Sequence, residues 1–496
     1  MTTEPMILAI DQGTTNTKAI LVDSDGEVRS IASRPVDIEF PQPAWVQQDA
    51  LSIWQSVREA VDECLDAAGS PPLAAVGVSN QRESGLAWDA ATGEPVGPVV
   101  TWQCRRSADF CEQLRSEGLE DEVRARTGLP IDPMFTGSKI RWLLDNTPDG
   151  HARAARGDIR VGTVDSWLLW CLTGGAEHRT DVSNASRTQL LNISERRWDA
   201  LLLERYGVPE AALPEILPSS GVFGETVALG SLPAGIPVGS LVGDSHAALF
   251  GHAGFAAGSV KATYGTGSSL MSPTAQRVDS DRGLASTIAW GLGSTVYALE
   301  GNIYVTGAAV QWMADFIGLD GPGEVAELAE SVADTEGVYL VPAFVGLGAP
   351  HWDDSARGML TGLTRSSSLA QASRAVIESI AYQVRDVFDE MQSATGGALR
   401  VLMADGGVTR NAQLMQFQAD ILGVPVQRNN TPELSAMGAA YLAGLAVGVW
   451  ASTGEIEALP RSVDRFEPGI DAAERERLYS GWREAVARTM YRPAGR

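Results

Sequence analysis

One short segment constrains this chain more than any other: Met6 to Lys18, MILAIDQGTTNTK. Its apolar run, Met6 to Ile10, reads as a buried strand. The run ends on Asp11, and Gly13, Thr14, Thr15, Asn16 and Thr17 follow at once. A second strand, Lys18 to Val22, leaves the turn, and Asp25-Gly26 makes the next one. A carboxylate thus stands at a strand end beside a tight turn rich in N–H groups and hydroxyls. Such a turn suits a metal–phosphate group, because the donors meet phosphate oxygens while the acid faces the cation. An ordinary hairpin has the same composition, since Gly and Thr are common in turns.

Ser259 to Pro273, SVKATYGTGSSLMSP, repeats the pattern about half a chain later. Its turn, Gly265-Thr266-Gly267-Ser268-Ser269, echoes the first. Two such hairpins predict two similar domains closing on one nucleotide. In Arg400 to Asn411, RVLMADGGVTRN, a strand runs into Asp405-Gly406-Gly407 and a helix starts near Asn411. Backbone can approach a ligand closely at Gly-Gly, and a helix N-terminus favours negative charge. Neither GxxxxGK[ST] nor GxGxxG occurs, which removes the main support for P-loop and Rossmann readings.

The 496 residues suffice for two domains, each with its own core. Predicted boundaries are 1–245 and 246–496, the second opening on the second hairpin. Helical stretches are expected over Leu51 to Ala68, Ser107 to Arg126, Ala308 to Ile317, Leu369 to Ser393 and Asn411 to Leu422. A net charge of −24 argues against nucleic acid or an anionic membrane as partner, and requires positive charge to be placed locally wherever a polyphosphate binds. Cys64, Cys104, Cys111 and Cys171 lack metal-ligand spacing and read as reduced thiols of a cytoplasmic protein. MTTEP is not read as a signal peptide. The longest apolar run, Leu434 to Trp450, is rich in Ala and Gly and reads as a buried helix, not a membrane span.

Asp244 follows the apolar run Ile236 to Val242 and should lie at a strand end near the domain junction. A carboxylate there can take the proton of an attacking hydroxyl; it can equally cap the Ala-rich helix that follows. Arg82 and Glu83 follow the strand-like run Ala74 to Ser79. An Arg fork donates to two neighbouring hydroxyls and a carboxylate accepts from a third, although adjacent charges also make plain surface ion pairs. Trp102 offers an apolar face to CH groups, or packs in a core.

Ordered motifs run nearly end to end: DQGTTNTK, SNQRES at 79–84, TWQCRR at 101–106, FTGSKIRWLLDN at 135–146, TDVSNASRTQLLNI at 180–193, VGDSHAALFG at 242–251, ATYGTGSSLM at 262–271 and DGGVTRN at 405–411. On these the chain resembles the FGGY carbohydrate kinase family, and within it the glycerol kinase branch. The resemblance implies an α/β fold of two duplicated actin-like, ribonuclease-H-like ATPase domains with a cleft between them. It implies ATP and Mg²⁺ as cofactors, and phosphorylation of a primary hydroxyl of a small polyol, glycerol first. It places the general base at Asp244 and the metal at Asp11 and Asp244. The polyol falls to Arg82, Glu83, Trp102, Met134, Asp244 and Ser245. The nucleotide falls to Thr14, Thr15, Asn16, Lys18, Thr266, Gly307, Gln311, Gly407 and Asn411. A homodimer or homotetramer is the implied assembly.

The pocket departs from the family pattern at Met134, where the family has Tyr, at Ser245, where Gln follows the Asp, and at Ser269, where an aromatic follows YGTG. His246 also replaces a Gln and reads as a neutral, hydrogen-bonded helix residue. Each pocket change removes bulk or a hydrogen-bonding group, so erythritol, threitol, erythrulose, dihydroxyacetone or a pentulose is the alternative substrate. Thr226 to Pro237 carries no Arg or Lys, so inhibition by an anionic sugar bisphosphate is not expected. A non-metabolic actin-like ATPase is the remaining reading from another class, but it has no use for the segments that build a polyol pocket.

Overall fold

The computed structural model describes residues 5–280 and 282–492. Two large mixed sheets organise it. The first runs in the order Ser220–Glu225, Pro237–Gly243, Leu73–Asn80, Met6–Gln12, Asn16–Val22, Val28–Pro35. The second runs Ala285–Leu292, Ser294–Ile303, Ser268–Thr274, Ser259–Tyr264, Val401–Asp405, Val426–Asn429, Val463–Phe466. Each contains three adjacent antiparallel strands, the first of which pairs in parallel with a later strand, which pairs in parallel with one more. The repeated topology is the duplication that the two hairpins predict.

Met6–Gln12 is apolar as far as Ile10 because both its faces are covered, and turns polar at Asp11 and Gln12 where it ends. Leu8 and Ile10 join a core with the helix Ala50–Ala67, while Ile7 and Ala9 face the opposite way. That second face packs against a layer shared with the other sheet, which includes Met271, Trp290 and Met403. Between the sheets lie the helices Asp244–Gly251 and Leu434–Val447. The apolar run from Leu434 is thus a buried helix, as expected, although it lies nearly 200 residues beyond the first sheet on which it packs. Gly and Ala let it sit close: a Cβ on Gly438 would lie 1.8 Å from the Ala247 carbonyl oxygen, and one on Gly77 would lie 2.5 Å from that of Ala439. Ser240 Oγ also donates to the Ala439 carbonyl at 2.7 Å.

The expected helix over Ser107 to Arg126 is in fact two, Ala108–Ser116 and Glu120–Thr127. Gly118 between them takes φ +77°, a left-handed conformation that ends the first helix. The helix expected from Leu369 to Ser393 runs Leu369–Thr395, started by a Ser368/Gln371 capping box and ended by Gly396 at φ 63°. No helix among the described residues is long and apolar enough to cross a membrane.

Candidate active site

Three parallel strands of the first sheet bring their C-terminal ends together. Asp11 lies opposite Ser79 in register, and Ser79 lies opposite Val242, two residues before Asp244. Carboxyl ends of adjacent parallel strands are where α/β sheets hold ligands. Ser79 Oγ donates to Asp11 Oδ1 at 2.8 Å. Burial, with the nearby Asp244 charge, pushes the Asp11 carboxyl up to about 6 against the pull of Ser79. Burial also raises Asp244, while the Arg82 guanidinium opposes it. The Asp244 side chain remains 39% exposed. It opens the helix Asp244–Gly251 with Gly243 as its cap, and Oδ1 accepts from its own neighbour, Ser245 N, at 2.6 Å.

Arg82 lies at the centre of a buried charge network. Nε donates to Asp244 Oδ1 at 3.1 Å and Nη2 reaches Glu300 Oε1 at 2.7 Å. Its Nη1 is buried without a partner. Burial depresses the guanidinium, but Glu300, Glu83 and Asp244 together hold it above its ordinary value. Glu83 Oε1 accepts from Arg187 Nε at 2.6 Å, and Arg187 Nη1 lies 2.8 Å from Glu300 Oε2. Burial alone would raise Glu300; Arg187 and Arg82 reverse this and keep it well below the usual carboxylate range. The Arg82 fork is therefore mostly engaged by carboxylates, leaving Nη1 as its free donor. Sequence reasoning missed Arg187 and Glu300. The available signal was a single acid inside the apolar strand Ser294–Ile303.

Glu83 takes φ 62°, and its carbonyl accepts from Thr136 Oγ1 at 3.1 Å and Lys139 Nζ at 3.0 Å. Lys139 also donates to the Met134 carbonyl, which fixes the Met134 turn against Glu83. Trp102 is not a core residue: it is 37% exposed, and Nε1 donates to Thr14 Oγ1 at 3.0 Å. Ser245 Oγ lies 3.4 Å from Ser269 Oγ, which in turn lies 3.3 Å from Glu300 Oε1. His246 is fully buried, with Nε2 3.3 Å from Thr287 Oγ1. Burial and Arg82 push it well below its ordinary value, so it is neutral, as expected.

The nucleotide candidates divide between two cavities. The first, of ≈ 710 Å³, is lined by Asp11, Lys18, Asp405, Gly406, Gly407, Arg410, Arg428, Glu433 and their neighbours. The second, of ≈ 610 Å³, is lined by Gly265, Thr266, Gly307, Gln311, Trp312, Gly407 and others. Gly407 borders both, and a Cβ there would meet nothing within 4 Å. At Gly307 the space is taken by protein: a Cβ would lie 2.6 Å from the Gly265 carbonyl oxygen, so this glycine serves the hairpin contact. Thr14, Thr15, Asn16 and Asn411 line neither cavity. Thr15 and Asn16 are exposed at the first hairpin tip, where Gly13 N–H closes onto the Asn16 carbonyl at 2.9 Å. Asn411 Oδ1 caps the helix Ala412–Leu422 by accepting from Leu414 N at 2.9 Å. Lys18 Nζ pairs with Glu433 Oε2 at 2.6 Å.

No three His, Cys, Asp or Glu side chains gather to hold a metal among the described residues. Asp11 and Asp244 nonetheless fit Mg²⁺, which keeps its waters and is usually bound by one or two carboxylates plus substrate phosphates. Burial is the first cause that raises both carboxyls, and the Asp244 charge adds to it at Asp11.

Comparison with known proteins gives the family and the fold. The models for the N-terminal and C-terminal domains of the FGGY family of carbohydrate kinases match residues 6–251 and 260–447. Glycerol kinase 2 of Thermotoga maritima is 48% identical over 489 residues, 98% of each chain. The glycerol kinase of Symbiobacterium thermophilum is 50% identical over 488 residues, 97% of this chain and 98% of its own. Among solved structures, Plasmodium falciparum glycerol kinase with ADP superposes with a TM-score of 0.94 at 32% identity, covering 99% of both chains. The chain belongs to the FGGY family of carbohydrate kinases.

Proposed function

We propose that the chain transfers the γ-phosphoryl group of ATP to a primary hydroxyl of glycerol, giving glycerol 3-phosphate and ADP. The observation that carries this reading is Asp244: a partly exposed carboxylate one residue past the strand Pro237–Gly243, hydrogen-bonded to Arg82 and close enough to Asp11 for their charges to interact. The near full-length likeness to proteins named glycerol kinase supports glycerol as the acceptor.

In this reading Arg82 Nη1 and the Glu83 carboxylate orient the polyol hydroxyls, and Trp102, Met134 and Ser245 bound its carbon chain. Asp244 accepts the proton of the attacking hydroxyl as its oxygen bonds to the γ-phosphorus. The bond from that phosphorus to the bridging oxygen breaks, and ADP leaves. Thr14, Thr15, Asn16, Lys18, Thr266 and Gly407 meet the phosphates, while Gly307, Gln311 and Asn411 border the nucleoside. Mg²⁺, held by Asp11 and Asp244, would supply charge neutralisation at the phosphates. The four cysteines are free thiols, consistent with a reducing compartment such as the cytoplasm.

A larger polyol or a ketose is the second reading. It is favoured by the small, polar Ser245–Ser269 pair beside Glu300. A coupled assay over glycerol, dihydroxyacetone, erythritol, threitol, erythrulose, xylulose and ribulose tests both. Glycerol leading in kcat/KM by about a hundredfold establishes the first. Turnover of five-carbon ketoses alone overturns it.

A further inference from the structure

The charged side chains lining the ≈ 710 Å³ cavity can be paired off one by one. Lys18 is taken by Glu433 at 2.6 Å. Asp405 is taken by His252, whose Nε2 lies 2.7 Å from Oδ2. Arg428 is taken by Asp464, through Nε at 3.1 Å and Nη2 at 2.6 Å. Two residues are left over: the carboxylate of Asp11, which makes no ion pair within 4.0 Å, and the guanidinium of Arg410, for which the described residues supply no ion-pair partner. An unpaired acid and an unpaired cation in one cavity are the complement of a divalent cation bound to a polyanion.

Arg410 is also held in place from behind. It ends the short turn Gly407–Arg410 that follows Gly406, and Gly406 takes φ +98°. Arg428 Nη1 donates to the Thr409 carbonyl at 3.0 Å and to that of Arg410 at 3.4 Å. Asp464 fixes Arg428 in turn, and Asn430 Nδ2 donates to the same Asp464 oxygen at 2.9 Å. This scaffold fixes the Arg410 backbone and leaves its side chain exposed along the cavity. In a chain of net charge −24, an unpaired cation at that position has a specific value for a polyphosphate.

We propose that Arg410 is a phosphate-binding residue of the nucleotide site, and that Arg428 and Asp464 are positioning residues that hold its turn. The proposal rests on the ATP-dependent kinase reading. It distinguishes Arg410 from Lys18, whose charge is already offset by Glu433.

Isothermal titration calorimetry with ADP and with adenosine tests it on wild type, Arg410→Gln and Arg410→Lys, in low and high salt. Arg410→Gln should weaken ADP about tenfold, leave adenosine unchanged and flatten the salt dependence of ADP binding. Arg410→Lys should recover part of the loss, since it keeps the charge without the fork. An ADP affinity within twofold of wild type overturns the proposal, as does an equal loss for adenosine. Arg410 is exposed, so the variants should fold, and an unchanged melting temperature checks this. Failure of wild type itself to bind ADP would instead overturn the kinase reading.

Discussion

The two hairpins share a topology and divide the chemistry. In the first, the acid is on the hairpin strand: Asp11 faces the hydroxyl of Ser79 across a parallel pair. In the second, the order is exchanged: Thr263 is on the hairpin strand, and the acid opposite it in register is Asp405. The two acids then behave in opposite ways. Burial raises Asp11 to about 6. Burial would raise Asp405 too, but the His252 hydrogen bond and charge bring it below its ordinary value. The turns differ as well. Gln12 and Thr17 are the last pair of the first hairpin, Tyr264 and Ser268 of the second, so the second loop is one residue shorter. The first hairpin supplies Asp11 and Lys18 to the charged cavity, and the second supplies Gly265 and Thr266 to the more apolar one. A duplicated scaffold thus gives one half an acid that burial raises and no cation pairs within 4.0 Å, and the other an acid that His252 holds below its ordinary value.

The largest expected effect concerns the residue that serves neither hairpin. If Asp244 is the general base, Asp244→Asn should lower kcat about a thousandfold while ADP still binds, because the amide keeps the shape and the hydrogen-bond acceptor for Arg82 but cannot take the proton. Turnover above about a tenth of wild type would end the general-base assignment.

The two hairpin acids should separate next. Asp11→Asn should cut turnover about a hundredfold and leave the melting temperature at pH 8 equal to wild type or higher. Asp405→Asn should lower the melting temperature by several degrees, because it removes an ionised partner from buried His252. If both variants lost stability alike, the contrast between a raised, unpaired acid and a lowered, paired one would collapse.

The pH dependence sharpens the same contrast through its sign. Asp11 titrates at about 6 in the fold against an ordinary 3.8, so its ionisation costs stability above that range, and the cost is relieved as pH falls through 6. Asp405 is lowered, so its contribution is present above the ordinary carboxylate value and is lost as pH falls below it. The thermal advantage of Asp11→Asn over ligand-free wild type should therefore shrink between pH 8 and pH 5. A constant difference would contradict the raised value.

The smallest effect belongs to the link between polyol wall and first hairpin. Trp102→Phe keeps an aromatic face but loses the Nε1 bond to Thr14. The KM for ATP should rise about threefold, with the polyol KM nearly unchanged. A change confined to the polyol KM would assign Trp102 to substrate contact alone.

The hairpins, the Gly-Gly turn and most helix spans were legible because each is a local pattern: an apolar period, a turn residue, a cap. Ser107 to Arg126 was misread because a helical period continues across Gly118, whose left-handed φ breaks the helix. Trp102 carries a composition that fits a core and a cleft equally, and only its surroundings decide between them. Gly307 of TGAAVQW reads from sequence as a place where a nucleotide nears the backbone, but the tight neighbour in the fold is the Gly265 carbonyl.

The sequence by itself determined the duplicated α/β architecture, the acids at strand ends and the family, because these follow from short-range periodicity and ordered motifs. Only the tertiary structure decided how the charges are satisfied. Arg187 and Glu300 join Arg82 and Glu83 from distant segments, Lys18 meets Glu433 across 415 residues, and Arg410 is left unpaired among the described residues. A buried charge is stabilised by whatever lies within a few ångströms of it, and that neighbourhood is set by packing, not by chain order.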